Sequence, residues 1–106
     1  MIGRMGSLKL GLVGLGTWAE TGHLPVYQGA RLRPLVDVAA LCSRSKDRAQ
    51  EWAAELGGAA AYDNFNEMLA EAGLDVVTVC TPDQLHTDYV LAALDAGCHV
   101  LVEKPL

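Results

Sequence analysis

The chain has 106 residues, of which 51% are hydrophobic and 20% charged, as in a single ordinary globular domain. Its formal net charge of −5 argues against non-specific nucleic-acid binding, because such binding needs a basic surface that displaces counterions. The same charge provides no attraction to an anionic membrane surface.

Five segments have the apolar and β-branched composition of strands. The predicted strands cover residues 8–13, 36–42, a short and weak 59–62, 75–80 and 99–102. The first, fourth and fifth are nearly continuous apolar runs, which is typical of strands whose two faces are both covered by helices in a parallel sheet.

Helical patterns lie between the later strands. Ser45 can cap a helix over 46–56, in which four residues form an apolar stripe at i, i+3, i+4 and i+7: Ala49, Trp52, Ala53 and Leu56. A second stripe, formed by Phe65, Met68, Leu69 and Ala72, ends at Gly73. A third helix starts at Thr81 or Asp83 and runs to about Ala96, before Gly97. This alternation predicts an α/β fold with a doubly wound parallel sheet.

The ends of the chain and its cysteines give further expectations. We expect residues 1–7 to be a disordered leader and residues 8–106 to form the domain. No targeting signal or membrane-length apolar run is present, so the expected location is the cytoplasm. Three widely spaced cysteines, Cys42, Cys80 and Cys98, favour small buried thiols in a reducing compartment. No metal site is expected, because no close Cys-x-x-Cys pair occurs.

A glycine-rich turn follows the first strand directly. Its sequence is Gly14-Leu15-Gly16-Thr17-Trp18-Ala19, which matches the G-x-G-x-x-A form of the dinucleotide-binding fingerprint. The first glycine allows the tight turn and the second lets the backbone approach a pyrophosphate at a helix start. We expect cofactor contacts from Gly14, Leu15, Gly16, Thr17 and Trp18. The alternatives are a turn without a ligand and a site for S-adenosylmethionine.

The tip of the second strand bears on the choice of cofactor. Rossmann domains that bind NAD commonly have an acidic residue there, which holds the ribose hydroxyls. Here the tip is Ser43-Arg44, and Asp37 lies near the opposite end of the strand. Because Ser43 and Arg44 can hydrogen-bond and neutralise a 2′-phosphate, we expect NADP to be preferred over NAD. The alternative is that Arg44 is a solvated surface charge and the protein does not discriminate.

Two further motifs resemble one oxidoreductase family. Thr81-Pro82-Asp83-Gln84-Leu85-His86 follows the fourth strand, and Glu103-Lys104-Pro105 follows the fifth. Together with the glycine turn and His23-Leu24-Pro25, they are similar to the N-terminal half of the glucose–fructose oxidoreductase, inositol dehydrogenase and rhizopine-catabolism (Gfo/Idh/MocA) family. The resemblance extends over residues 8–106. It implies a Rossmann domain of about five strands, cut before a sixth strand.

The resemblance also implies a role for each motif residue. Thr81, Pro82 and His86 would line the cofactor cleft beside the nicotinamide half. Glu103 would contact the nicotinamide ribose or carboxamide. Lys104 would contact the cofactor and lie at the substrate hydroxyl or carbonyl, where it would take part in proton transfer.

The family's usual reaction is hydride transfer between a nicotinamide cofactor and a secondary alcohol of a sugar, cyclitol or related diol. Family members usually continue into a second α/β domain that supplies the substrate pocket. We therefore expect this chain to bind cofactor without efficient turnover, with its exposed apolar surface covered by such a domain or by self-association. The alternatives are one half of a split enzyme and a non-catalytic nucleotide-binding or interaction module.

Overall fold

The computed structural model describes residues 8–14, 25, 35–81 and 83–102. Five parallel strands form one sheet in the order β3-β2-β1-β4-β5. The strands are β1 (Leu8–Val13), β2 (Val36–Cys42), β3 (Ala60–Tyr62), β4 (Val76–Val79) and β5 (His99–Val102). The predicted doubly wound parallel sheet is confirmed, with β1, β2 and β5 at their predicted bounds and β3 and β4 shorter.

Three described helices connect these strands: α1 (Lys46–Glu55), α2 (Phe65–Glu71) and α3 (Asp83–Asp95). Ser45 caps α1 as predicted, because its side chain accepts the N–H of Arg48. Asn64 caps α2 in the same way through the N–H of Glu67. Past the end of α3, Gly97 has a φ of +84°, a left-handed conformation that favours glycine. This explains why the helix stops near the predicted residue.

The hydrophobic core lies on both faces of the sheet. On one face, Leu10, Leu12 and Leu41 pack with Ala49 and Ala53 of α1. On the other face the strands pack against α2 and α3, in a cluster that includes Val13, Cys42, Val77, Val79, Phe65, Met68 and Ala93. Helix α1 therefore covers one face of the sheet, and α2 and α3 cover the other.

The strand starts are tied together at the opposite edge of the sheet. The Asp75 carboxylate accepts the backbone N–H of Lys9 at 2.9 Å, and the Asp75 N–H donates to the Lys9 carbonyl at 2.8 Å. The carbonyl of Asp75 accepts the N–H of His99 at 2.9 Å. Asp75, the residue before β4, therefore joins β1 and β5 near their starts.

The edge strand β5 differs from the expectation of a strand covered on both faces. His99 is exposed, and the Leu101 side chain is 50% exposed. Val100 packs against the cluster that contains α3. Within the described part of the chain, β5 is therefore covered chiefly on the α3 side.

The three cysteines are free thiols. Cys42 and Cys98 are buried, as predicted, whereas Cys80 is half-buried. None of the helices in the described ranges has the length and apolar character needed to cross a membrane. The predicted leader, residues 1–7, lies outside the described residues.

Candidate dinucleotide-binding site

Three loops meet at the carboxyl edge of the sheet, where open α/β sheets bind their ligands. Gly14 follows β1, Ser43 follows β2, and Cys80-Thr81 follows β4. The Gly14 N–H donates to the Cys42 carbonyl at 3.0 Å, and the Cys80 N–H donates to the Val13 carbonyl at 2.8 Å. Because β1 lies between β2 and β4, these bonds hold Gly14 between the other two loops.

Gly14 occupies a position that no other residue fits without strain. Its φ is +93°, in the left-handed region that L side chains rarely adopt. A Cβ atom at this position would lie 2.7 Å from the Cys80 carbonyl carbon and 2.8 Å from the Thr81 nitrogen. Since both of those atoms belong to the backbone, they cannot rotate away. The glycine lets the first and third loops approach each other closely.

Thr81 brings an unpaired hydroxyl to the same place. The residue is 9% exposed, and its buried Oγ1 has no hydrogen-bond partner among the residues that the structure describes. A buried hydroxyl without a partner costs about 1–3 kcal/mol. A ligand that supplies a hydrogen-bonding atom beside Gly14 would remove this cost, so the Gly14–Thr81 corner fits a polar cofactor.

The tip of β2 is ordered by hydrogen bonds at the start of α1. The Ser43 Oγ accepts the Ser45 N–H at 3.1 Å, and the Ser45 Oγ accepts the Arg48 N–H at 3.3 Å. The Ser43 hydroxyl accepts this bond through a lone pair, and its O–H remains able to donate. Arg44, between the two serines, is exposed. The tip therefore offers a hydroxyl donor and a guanidinium to an anion.

His86 lies in α3, where the structure describes its backbone position. Seven other predicted site residues lie outside the described residues: Leu15, Gly16, Thr17, Trp18, Pro82, Glu103 and Lys104.

The structure draws attention to one basic residue that the sequence analysis did not single out. Arg48 lies in the first turn of α1, four residues after Arg44. It lines a cavity of about 550 Å³ with Glu51, Trp52 and Glu55. Since the described lining comes from α1 and not from the strand ends, this cavity is not the candidate site. In the sequence, Arg48 lies three residues after the capping Ser45. That spacing places it in the first turn of α1.

Cys42 is next to the site but does not supply a reactive thiolate. Burial raises the pKa of the Cys42 thiol to about 11, with a smaller contribution from the negative charge of Asp63. A thiol with this pKa stays protonated at neutral pH. Among the described residues, no group of three or more His, Cys, Asp or Glu side chains could hold a metal ion.

These features define a class of protein. A parallel sheet with the order β3-β2-β1-β4-β5, with a positive-φ glycine directly after β1, is the architecture of dinucleotide-binding Rossmann domains. A family model described as "Oxidoreductase family, NAD-binding Rossmann fold" (GFO_IDH_MocA) matches residues 8–106. The chain belongs to this family and is its nicotinamide-dinucleotide-binding domain, as the motifs predicted.

Curated relatives from two organisms show the extent of the similarity. The chain is 36% identical over 98 residues to D-glucoside 3-dehydrogenase of Escherichia coli, covering 92% of this chain and 27% of the relative. It is 40% identical over 99 residues to D-xylose 1-dehydrogenase (NADP(+)) 2 of Haloferax volcanii, covering 93% and 29%. The chain thus spans less than a third of the length of either relative.

Solved structures give the same result for the fold. A 3-ketoreductase from Actinomadura kijaniata, in complex with TDP-benzene and NADP, superposes with a TM-score of 0.84 at 32% identity, covering 95% of this chain and 31% of that one. A scyllo-inositol dehydrogenase from Lactobacillus casei, with bound NAD(H) and scyllo-inositol, superposes with a TM-score of 0.82 at 27% identity, covering 93% and 28%. Similar folds therefore bind either NADP or NAD(H).

Proposed function

We propose that this chain is the cofactor domain of an oxidoreductase that acts on a secondary alcohol of a sugar, cyclitol or related diol. The support is the chemistry in the names of its relatives, which include a glucoside dehydrogenase and a xylose dehydrogenase. Because those relatives are more than three times as long as the match, we assign the substrate pocket to a further domain. The proposed compartment is the cytoplasm.

The observation that carries the proposal is the Gly14–Thr81 corner. We place the cofactor's pyrophosphate against the turn formed by Gly14, Leu15, Gly16, Thr17 and Trp18, where backbone N–H groups favour an anion. The unpaired Thr81 hydroxyl would then bond to the cofactor, with Pro82 and His86 beside it. When bound, a nicotinamide dinucleotide supplies or accepts the hydride of the reaction.

Glu103 and Lys104 complete the proposed site through their motif. They follow β5, whose carboxyl end lies at the same edge of the sheet as Gly14 and Thr81. Glu103 would orient the nicotinamide ribose or carboxamide. Lys104 would contact both cofactor and substrate and would hold or move a proton at the substrate's oxygen.

The Lys104 assignment has a direct kinetic test. In a catalytically active form of the protein, Lys104→Ala is expected to lower kcat by about 100-fold or more, because general acid–base groups contribute that much. The dissociation constant for the cofactor should rise by no more than about tenfold, because one contact is lost. Unchanged turnover would refute the role.

We further propose that NADP is preferred over NAD. Accepting the Ser45 N–H leaves the Ser43 O–H able to donate, and the exposed Arg44 adds positive charge at the same tip. Charge-assisted hydrogen bonds to a 2′-phosphate stabilise a complex more than neutral ones do. NAD has a neutral hydroxyl at that position and gains less from these residues.

Titration calorimetry with NADPH and NADH tests this function. We expect saturable binding of both, with NADPH bound about tenfold more tightly, as one extra charge-assisted bond would give. A preference for NADH would refute the assignment of Ser43 and Arg44. Absence of saturable binding would refute the proposed function as a whole.

A further inference from the structure

The end of β3 lies next to the end of β2 at the carboxyl edge. The two strands are parallel, with Cys42 opposite Tyr62. The Ser43 N–H donates to the Tyr62 carbonyl at 3.0 Å, so the pairing continues one residue beyond β2. Asp63, the next residue after Tyr62, therefore lies one strand spacing from Ser43, which is about 4.8 Å in a sheet.

Asp63 brings a negative charge to this corner. It is exposed, and its charge acts on the neighbouring thiol of Cys42, whose pKa it helps to raise. The next residue, Asn64, is engaged in capping α2, since its Oδ1 accepts the Glu67 N–H at 3.0 Å. Of these two polar residues, only Asp63 is charged. Its charge would act on a ligand bound at the β2 tip.

Other charged residues surround the same corner. Arg44 and Lys46 are exposed and positive, and Asp47 is exposed in the first turn of α1. Arg48 lies in that turn as well. The positive groups are on the β2 tip and α1, whereas Asp63 comes from the neighbouring strand.

We propose that Asp63 is a specificity-determining residue that limits the preference of this site for NADP. This inference rests on the proposed function. In the usual fingerprint, an acidic residue at the end of β2 selects NAD. Here β2 ends in Ser43, and the strand register places a carboxylate one strand further along. Its charge repels a 2′-phosphate, which has a charge of about −1.5 to −2, and leaves the neutral 2′-hydroxyl of NAD nearly unaffected.

The test compares Asp63→Asn with a matched control, Asp37→Asn. Asp37 is also exposed and belongs to β2, but it lies near the start of the strand. At about 3.3 Å per residue, it is more than a Debye length of about 8 Å from the β2 tip. Both variants remove one negative charge, so the control separates a local effect from a change in net charge.

We expect Asp63→Asn to lower the dissociation constant for NADPH by about three- to tenfold, the size of an exposed charge effect at short range. The constant for NADH should change by less than twofold, and Asp37→Asn should leave both within twofold. High salt should reduce the difference between wild type and Asp63→Asn. Asp63→Ser, also neutral, repeats the measurement with a different side chain, and thermal unfolding verifies that each variant is folded.

The outcomes separate this inference from the function on which it rests. Wild-type binding with an unchanged NADPH-to-NADH ratio in both Asp63 variants would overturn the inference and leave the proposed function standing. An equal shift in Asp37→Asn would also overturn it, because the effect would then come from net charge. If the wild type bound neither dinucleotide, the proposed function would fail and the inference with it.

Discussion

Thr81 is the described residue whose surroundings point most clearly to a bound ligand. Its buried hydroxyl has no hydrogen-bond partner within the described part of the chain, so removal of the hydroxyl should not weaken the free protein. Thr81→Val, which keeps the shape of the side chain, is expected to leave the free energy of unfolding unchanged or to raise it by about 1 kcal/mol. The same change should raise the dissociation constant for NADPH about tenfold, because one hydrogen bond is lost. Urea unfolding and calorimetry measure the two effects.

Thr78 provides the matched control for this prediction. It is fully buried in β4, but it has an interaction within the protein. Thr78→Val should therefore lower the free energy of unfolding. A loss of stability in Thr81→Val as large as that in Thr78→Val would show that the Thr81 hydroxyl is already satisfied, and would contradict its assignment to the cofactor.

Cys42 makes stability depend on pH in the alkaline range. Burial first, and the charge of Asp63 second, raise the pKa of its thiol from 9.0 to about 11. The folded protein thus holds this proton more tightly than the unfolded chain does. The resulting stability is present below pH 9 and is lost as the pH rises toward 11, by about 2 kcal/mol for a shift of this size.

Urea unfolding of wild type and Cys42→Ala between pH 8 and 11 measures this loss. The difference in unfolding free energy between the two proteins should shrink as the pH rises. The pKa of Tyr62 is also raised, by burial and by Glu71, but Tyr62 is present in both proteins and its contribution cancels. A difference that does not vary with pH would contradict the assignment.

At the scale of the elements, the sequence predicted most of the sheet and the helices. Long apolar runs and Ser45 were sufficient for β1, β2, β5 and the start of α1, because each has a strong local signal. The weak β3 was predicted one residue too long at its start, and β4 one residue too long at each end. Those ends depend on which neighbouring strand is available for pairing, which no local pattern contains.

The candidate site was predictable in part for the same reason. Gly14 and Thr81 belong to motifs, so the sequence analysis found them. Asp63 belongs to no motif. It lies next to the β2 tip only because Cys42 pairs with Tyr62, the residue before it. Similarly, the missing partner of the Thr81 hydroxyl is a property of the packed structure. Register and hydrogen bonding between distant segments are needed to find either.

At the scale of the whole molecule, the two edges of the sheet, at the strand starts and at the carboxyl ends, have different roles. The starts of β1, β4 and β5 are joined by Asp75, which stabilises the sheet. The carboxyl ends bring Gly14, Ser43 and Thr81 to one edge, where we propose that the cofactor binds. Leu91, Leu94 and Leu101 remain at least 50% exposed, in a chain that spans less than a third of either curated relative. We expect a further domain or a second copy of the chain to cover them.

The most direct test of the account is NADPH binding to Gly14→Ala, with Gly97→Ala as the control. Both glycines have positive φ, +93° and +84°. A Cβ at Gly14 would contact the backbone of Cys80 and Thr81, whereas one at Gly97 would meet nothing within 4 Å. Both variants should lose about 1 kcal/mol of stability from backbone strain, and Gly14→Ala should lose more because its Cβ also clashes with the backbone of Cys80 and Thr81. Calorimetry should find NADPH binding weakened at least tenfold in Gly14→Ala and unchanged in Gly97→Ala. Equal binding by the two folded variants would contradict a dinucleotide site at this edge of the sheet.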